Sequence, residues 1–329
     1  MTEKKSQRQL ITYPIVIFAL AILCNALWGS ATPFIKIGYN LILPPELNPE
    51  INPEITPELR VPSIILFAGS RFFLAGIITI AIYSIARRKF LYPKKSTVPK
   101  VLGVGAFQTV LQYIFFYIGL ANTSGVKGTV ASSANAFFAL LISSLIFRQE
   151  KLTVKKVCAC VLGLTGIIII NIDGLDFNMN FLGDCFVLFS AMSQAFGSVL
   201  IKRFSRDEDP VVISGYQFLV GGTVMMCIGA AFGGRICFPS VSAVAVLIYL
   251  AFLSAIAYAL WGVLLKYNPV SKVTIYSFTT PIFGVFLSTL LLDEASNVRP
   301  INLVCTLILV STGIFILNYS RKKPETKAL

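Results

Sequence analysis

The chain has 329 residues, of which 56% are hydrophobic and only 13% charged, and its mean hydropathy is +0.78. So much apolar surface cannot be hidden in a soluble core of ordinary size, which excludes a soluble enzyme and indicates an integral membrane protein. The net charge of +13 would suit a nucleic-acid partner, but the positions of the basic residues indicate membrane topology instead.

Ten apolar stretches follow one another along the chain, each close to the ~20 residues that cross a bilayer as a helix. Spans 1 to 10 are predicted at 14–38, 62–86, 100–120, 126–147, 154–172, 181–203, 210–231, 241–266, 270–292 and 300–319. Between them no polar segment exceeds about two dozen residues, so no soluble catalytic or regulatory domain is predicted.

The lysines and arginines are distributed unevenly between the two sides of these spans. If the amino terminus is cytoplasmic, the inner segments hold 22 of the 28 basic residues. The outer segments hold five, which are Lys36, Arg60, Lys127, Arg235 and Arg299, and Arg71 lies within span 2. Basic residues concentrate on the cytoplasmic side of membrane proteins, so both termini are predicted to be cytoplasmic.

An internal repeat organises the chain into two halves. The run Thr165–Asn171 returns as Thr312–Asn318 with five of seven residues identical. The first copy is assigned to 1–172 and the second to 173–329, with five spans in each. Because five is an odd number, the second copy must cross the membrane in the opposite sense, an arrangement typical of secondary transporters.

A low-complexity insertion occupies 44–60 in the first external loop. Pro45, Pro49, Pro53 and Pro57 recur every fourth residue, each followed by a glutamate. Proline at this spacing removes helical donors, so an extended or mobile polyproline-like loop is expected. Two interpretations stay open, an acidic flap over an entry site and a simple spacer.

Few ionisable groups lie inside the predicted spans, and the chain has no histidine. Arg71 is near the middle of span 2, where it either binds an acidic group of a substrate or ties span 2 to neighbouring helices. Asp184 suits the amino-terminal cap of span 6, with proton carriage as the alternative. Glu150 and Glu294 end spans 4 and 9 as helix-end or gate residues. With so few acids, weak or absent proton coupling is predicted.

Polar and aromatic stripes at helical spacing mark eight spans, and spans 5 and 10 lack them except near their ends. The stripes predict one central cavity, with spans 5 and 10 facing lipid or a second copy in a homodimer. The residues predicted to contact solute are Trp28, Arg71, Gln108, Gln112, Asn135, Gln194, Tyr258, Trp261 and Tyr276. Amides, hydroxyls and aromatic rings with one fixed charge suit a small zwitterionic or amphipathic solute.

A set of short motifs also occurs along the chain in a recognisable order. They are Trp28-Gly29-Ser30 with Lys36, Arg71-Phe72, Gly119-Leu120 with Thr123-Ser124, Glu150, Gly183-Asp184, and Pro281 with Asp293-Glu294. Together they resemble the EamA-type signature, present twice, of the drug/metabolite transporter superfamily. The resemblance implies ten helices in two inverted repeats around a central cavity, and export of amino acids or other metabolites across a bacterial plasma membrane.

Two features depart from that pattern. Asn135 to Phe137 lacks the proline that the family often carries in span 4, whereas Pro281 keeps it in span 9, where it makes a hinge or an ordinary bend. The insertion at 44–60 is foreign to the usual short first loop.

The leading hypothesis is therefore a secondary transporter that exports amino acids or related compounds by alternating access. The alternatives are a broad-specificity drug or metabolite exporter and, less favoured, a channel or a non-transport membrane scaffold. An intramembrane enzyme is disfavoured because no histidine, paired buried carboxylates or metal-spaced ligands are available. The seven cysteines show no C-x-x-C spacing, and no metal or cofactor is expected.

Overall fold

The structure is a computed structural model that describes residues 10–48, 51–52, 54–172, 175, 180–292 and 299–318. Helices and turns make up these ranges, which contain no β-strand. Asp293 and Glu294 lie outside the described residues, as do both chain ends.

The long helices of the described ranges are named α1 to α10 in chain order. They are α1 Pro14–Ile42, α2 Pro57–Ala86, α3 Lys95–Ala121, α4 Gly125–Ile146, α5 Val154–Ile170, α6 Phe181–Phe204, α7 Pro210–Ala231, α8 Val241–Tyr267, α9 Val270–Leu291 and α10 Pro300–Asn318.

Nine of the described helices are long and apolar enough to cross a membrane. The prediction of an all-α membrane protein is thereby confirmed. The predicted count of ten spans is not, because α5, which corresponds to span 5, has 17 residues and is not among the nine.

The insertion at 44–60 is less extended than predicted. Pro45–Leu47 form a turn of 3₁₀-helix, and α2 begins at Pro57, five residues before the predicted start of span 2. Proline is tolerated at the first helical position because its missing N–H has no partner there, and Glu58 in the first turn suits the positive end of the helix. The expectation of non-helical backbone was therefore wrong for 57–60.

α2 packs against α7 through facing glycines. A Cβ added to Gly222 would lie 2.5 Å from the backbone nitrogen of Phe73 and 2.8 Å from the carbonyl oxygen of Gly69. One at Gly76 would lie 2.8 Å from the carbonyl oxygen of Gly215. Such contacts let two backbones touch directly, which is how helices commonly associate in membranes. This pair joins span 2 of one half to span 7 of the other.

α5 packs against α10, and the repeated Thr-Gly-Ile runs lie in this contact. Thr306 donates a hydrogen bond to the carbonyl oxygen of Gly166 at 2.7 Å. A Cβ at Gly313 would lie 2.7 Å from the carbonyl oxygen of Ala159. Of the nine span-length helices, α10 buries the smallest share of its apolar stretch. The repeated runs therefore lie in two helices that pack against each other at the edge of the bundle.

Four of the described helices contain a segment that departs from regular α-helix, and one of these segments is π-helical, at Phe181–Cys185, where it begins α6. α3 carries a π-helical segment at Ala106–Leu111, α4 another at Ile142–Ile146, and α9 a 3₁₀ segment at Ile275–Thr279. Each segment changes the angle between successive side chains, so the residues beyond it face a different direction from that expected for 3.6 residues per turn.

Candidate functional site

A small cavity lies where α1, α3, α4, α6, α8 and α9 meet. The volume of this cavity that is accessible to water is about 10 Å³, which is room for about one water molecule. The lining residues are Trp28, Gln108, Asn135, Ala139, Gln194, Ala195, Ser198, Tyr258, Trp261, Thr274 and Ser277. Six of the nine side chains predicted to contact solute are in this lining, and Arg71, Gln112 and Tyr276 are not.

Hydrogen-bonded amides cross the cavity between helices. Asn135 of α4 donates through Nδ2 to Oε1 of Gln194 in α6 at 2.6 Å. Gln217 of α7 donates through Nε2 to Oε1 of Gln108 in α3 at 3.0 Å, and Thr109 donates to Oε1 of Gln217. Oδ1 of Asn135 is buried and has no hydrogen-bond partner among the described residues. A buried acceptor without a partner is costly, so this atom suits a ligand that brings a donor.

The side chains of Trp28, Tyr258 and Trp261 form an aromatic wall of the cavity. The ring of Trp28 meets those of Tyr258 and Trp261 edge to face, with centroids 5.1 and 4.9 Å apart. Nε1 of Trp28 is buried without a hydrogen-bond partner within the described part of the chain. The cavity therefore offers one unsatisfied donor and one unsatisfied acceptor beside apolar ring faces.

Tyr276 faces away from the cavity. Its hydroxyl accepts a hydrogen bond from Nδ2 of Asn318 in α10 at 3.2 Å, and its ring lies against Phe18 of α1. Tyr276 belongs to the 3₁₀ segment of α9, which has three residues per helical turn instead of 3.6. That segment places Thr274 and Ser277 in the lining instead, which regular helical spacing did not predict.

Three other lining residues were also absent from the predicted set. Ser198 lies four residues after Gln194 on the same face of α6, so the i, i+4 spacing was a usable signal. Ala139 of α4 and Ala195 of α6 line the cavity through their small size. No polar pattern distinguishes such alanines from those that merely pack helices together.

Arg71 and Gln112 lie beyond the aromatic wall. The guanidinium carbon of Arg71 is 4.3 Å from the ring centroid of Phe72 and 5.8 Å from that of Tyr113. The Tyr113 and Tyr258 hydroxyls are 3.0 Å apart, and Gln112 interacts with the same Tyr258 hydroxyl. Arg71 and Gln112 therefore do not line the cavity. Each is connected to it through Tyr258, Arg71 by way of Tyr113 and Gln112 directly.

Glu150 fastens the start of α9 to the end of α4. Its carboxylate accepts hydrogen bonds from the backbone N–H and the hydroxyl of Ser271, from the hydroxyl of Ser143 and from Nζ of Lys156. Burial raises the pKa of Glu150, but the hydrogen bonds from Lys156, Ser271 and Ser143 outweigh it, and the net pKa is lowered. A charged Glu150 therefore stabilises this contact between the two halves.

Asp184 is held in a comparable network at the opposite end of the bundle. Its carboxylate accepts hydrogen bonds from the Thr123 hydroxyl, from Nζ of Lys127 at 3.3 Å and from the backbone N–H of Asn180 at 2.9 Å. These partners tie the first turn of α6 to the α3–α4 connection. The residue that caps α6 is Asn180, whose side chain accepts a hydrogen bond from the backbone N–H of Gly183, and Asp184 accepts from the N–H of that capping residue instead of capping the helix itself.

No group of three or more histidine, cysteine, aspartate or glutamate residues within the described ranges is arranged to hold a metal ion. The seven cysteines are free thiols. The chemistry on offer at the cavity is therefore hydrogen bonding and contact with aromatic rings.

Comparison with known proteins assigns the family. The model of the EamA-like transporter family matches residues 57–172 and again residues 181–319. The chain belongs to the EamA-like transporter family. That membership and the nine span-length helices of its described residues make it a multi-pass membrane protein of a transporter family.

Its relatives lie in plants, bacteria and archaea. A WAT1-related chloroplast protein of Arabidopsis thaliana is 24% identical over 62% of this chain, which spans about half, 51%, of the relative's length. The uncharacterized transporter YetK of Bacillus subtilis (strain 168) is 25% identical, with 81% of each chain covered. A solved crystal structure matches with a TM-score of 0.72 at 17% identity, covering 93% of this chain and 97% of the other, which supports the fold alone.

Proposed function

We propose that this EamA-family transporter is a secondary carrier that exports amino acids or related small metabolites by alternating access. The observation that carries the proposal is the cavity formed by six helices, in whose lining Trp28 has an unpaired donor and Asn135 an unpaired acceptor among the described residues. A carrier must at some point enclose its solute between its helices, and side chains from both halves of the chain meet at this cavity.

The inverted repeat is part of this proposal, with α5 counted as a tenth span. The two separate family-model matches support it. So does the pattern of neighbours, because α1 packs on α8 as α3 packs on α6, while α2 pairs with α7 and α5 with α10. Exchanging the two halves converts the α1–α8 pair into the α6–α3 pair and leaves the α2–α7 and α5–α10 pairs as they are, as a two-fold axis in the membrane plane requires.

The cavity favours a small solute with both polar and apolar parts. The carbonyl oxygen of Asn135 suits an ammonium group, and the indole N–H of Trp28 suits a carboxylate or hydroxyl oxygen. The rings of Tyr258 and Trp261 offer an apolar surface for a side chain. We assign solute contact to the cavity side chains Trp28, Gln108, Asn135, Gln194, Tyr258 and Trp261, with Gln112 supporting Tyr258.

Glu150 is proposed to lock the end of the bundle that is predicted to be cytoplasmic. Because its pKa is lowered, its contribution is fully present above the ordinary value of 4.5 and is lost as the pH falls below that value. At pH 7, Glu150→Gln is expected to lower the free energy of unfolding by about 1.5–3 kcal/mol, the range for hydrogen bonds to charged groups. The melting temperatures of wild type and Glu150→Gln, measured between pH 7 and pH 3.5, should become more alike as the pH falls.

Glu46→Gln is the matched control, since the Glu46 side chain is 55% exposed. It should unfold like the wild type at every pH. A constant gap between wild type and Glu150→Gln down to pH 3.5 would show that the charge of Glu150 does not hold this contact.

Transport is expected to proceed without stoichiometric proton movement. The chain lacks histidine, and Asp184 at the start of α6 is already engaged by Lys127 and Thr123. Liposomes with an internal pH dye should therefore report no alkalinisation that scales with solute uptake, and Asp184→Asn should not change the pH dependence of uptake. Solute flux that collapses an imposed pH gradient in fixed proportion would refute this.

Counterflow in proteoliposomes tests the proposed function. A panel of labelled amino acids, amines and nucleosides is offered outside vesicles loaded with the same unlabelled compound. At least one amino acid or related metabolite should accumulate with saturable, exchange-accelerated kinetics. Inhibition by structurally unrelated amphiphiles would favour the broad-specificity exporter, whereas linear flux or single-channel currents would favour a channel.

A further inference from the structure

Arg71 is a buried cation for which the described residues supply no anion. It lies in the middle of α2 and is only 4% exposed. Its Nε has no hydrogen-bond partner, and no carboxylate of the described residues forms a salt bridge with it. Aromatic rings are its neighbours, with Phe72 and Tyr113 beneath the guanidinium. Charges inside a membrane protein are costly, so an unpaired one calls for a partner that arrives from outside the chain.

Arg60 lies on the same face of α2, towards the end predicted to be external. The separation of 11 residues corresponds to about three helical turns, or about 16 Å along the axis. Nε of Arg60 is also buried without a hydrogen-bond partner in the described part of the chain. The charges of both arginines act on the hydroxyl of Tyr39 in α1, which in turn interacts with that of Tyr117 in α3.

A row of hydroxyl groups continues from Arg71 to the cavity. Tyr113 lies against the guanidinium, and its hydroxyl is 3.0 Å from that of Tyr258. Tyr258 lines the cavity beside Trp28. Polar side chains thus lie at intervals between the outer end of α2 and the proposed solute cavity, with Arg71 between them.

We propose that Arg71, with Arg60 on its outer side, forms a site for a single anionic group, and that the group it receives is the carboxylate of the transported solute as it passes between the outer face and the central cavity. The site rests on the proposed function and adds to it the substrate class, a carboxylate-bearing solute. A guanidinium offers a planar fork of N–H donors that matches a carboxylate with two hydrogen bonds. The tyrosine hydroxyls can donate to the same oxygens.

The two tryptophans of the chain, Trp28 and Trp261, both line the cavity and so report binding directly by intrinsic fluorescence. The experiment titrates the full-length protein in nanodiscs with leucine and with leucinamide, which lacks the carboxylate. Wild type is expected to bind leucine at least about tenfold more tightly, and Arg71→Gln is expected to reduce that preference to about twofold or less, while the affinity for leucinamide changes little.

Two further variants separate charge from packing. Arg71→Lys keeps the charge without the planar fork and should keep part of the preference. Arg235→Gln is the control, since the Arg235 side chain is 69% exposed at the end predicted to be external and pairs there with Glu46. It should bind both compounds like the wild type.

A second measurement does not depend on identifying the solute. Sodium acetate or sodium chloride is added to a low-salt buffer, and the melting temperature of wild type is compared with those of Arg71→Gln and the exposed control Arg235→Gln. An anion that binds the folded protein should raise the melting temperature of wild type by about 2 °C or more, with no rise in Arg71→Gln. A further outcome is that chloride raises the melting temperature of wild type but not of Arg71→Gln, while leucine and leucinamide bind with equal affinity. In that case Arg71 binds a free anion and not the carboxylate of the solute.

Two results would overturn the site. One is a carboxylate preference that survives in Arg71→Gln, and the other is a monodisperse Arg71→Gln that responds to acetate and chloride like the wild type. If the wild-type protein transports no compound of the counterflow panel, the proposed function is wrong. The change of melting temperature with acetate or chloride then tests, independently of transport, whether Arg71 binds an anion.

Discussion

Asn135→Leu is expected to weaken solute binding by about 30-fold or more while the protein still folds. The substitution removes the unpaired Oδ1 acceptor and also the donor to Gln194. The solute's donor and Oε1 of Gln194 then face an apolar side chain between the helices, and one unsatisfied buried polar group costs about 1–3 kcal/mol. Leucine is larger than asparagine but has the same branched arrangement of four side-chain heavy atoms, so the shape of the side chain is largely kept. Binding is measured through the fluorescence of Trp28 and Trp261.

Asn171→Leu is the matched control. Asn171 follows the end of α5, away from the cavity, and its Nδ2 donates to the carbonyl oxygen of Ile167 at 2.8 Å. Both variants lose an asparagine hydrogen bond, but only Asn135→Leu alters the cavity lining. Equal affinities in wild type and Asn135→Leu would mean that solute binds elsewhere.

Gly222→Val is expected to prevent assembly of a stable bundle. Its Cβ would lie 2.5 Å from the backbone nitrogen of Phe73 and 2.8 Å from the carbonyl oxygen of Gly69, so α2 and α7 would have to separate along their contact. Forcing extra atoms into packed helices costs about 1–3 kcal/mol where side chains can adjust, and more is expected where the obstacle is backbone. Size-exclusion chromatography should show loss of the monodisperse peak of the wild type, and thermal unfolding should show loss of its cooperative transition.

Gly103→Ala provides the comparison on α3. Nothing lies within 4 Å of the added Cβ, so the methyl group meets open space. Alanine is also the better helix former by about 0.5–1 kcal/mol, and the variant should be at least as stable as wild type. Wild-type stability in Gly222→Val would mean that α2 and α7 are not in backbone contact.

The positions of the helices were predictable because the signals are long and repetitive. Apolar stretches of span length located all ten helices, and the i, i+4 stripes brought six side chains from five helices to one cavity. These predictions depend only on composition and on 3.6-residue periodicity, which α1, α6 and α8 follow closely.

Local departures from that periodicity explain what was missed. The 3₁₀ segment of α9 turned Tyr276 towards Asn318 and brought Thr274 and Ser277 to the cavity. Arg71 was singled out because charge within a span is rare, but its aromatic surroundings come from α2 and α3 packing together. Such neighbours are distant in sequence and follow no period, so only the folded chain reveals them.

The start of α2 shows a second limit. Proline spacing predicted extended backbone up to residue 60, yet Pro57 begins the helix because a first-turn proline loses no intrahelical hydrogen bond. The same residue type breaks a helix in its interior and favours it at its start. A proline alone therefore does not decide where a helix begins.

Alternating access through the central cavity is tested most directly by labelling one residue in its wall from each side of the membrane. Ser198→Cys is nearly isosteric and lines the cavity at 4% exposure, and the seven native cysteines are replaced in the background. A membrane-impermeant thiol reagent should reach this cysteine from either face of oriented vesicles, and solute should slow labelling from both faces. Labelling from one face only, unaffected by solute, would rule out a cavity that opens alternately to the two sides.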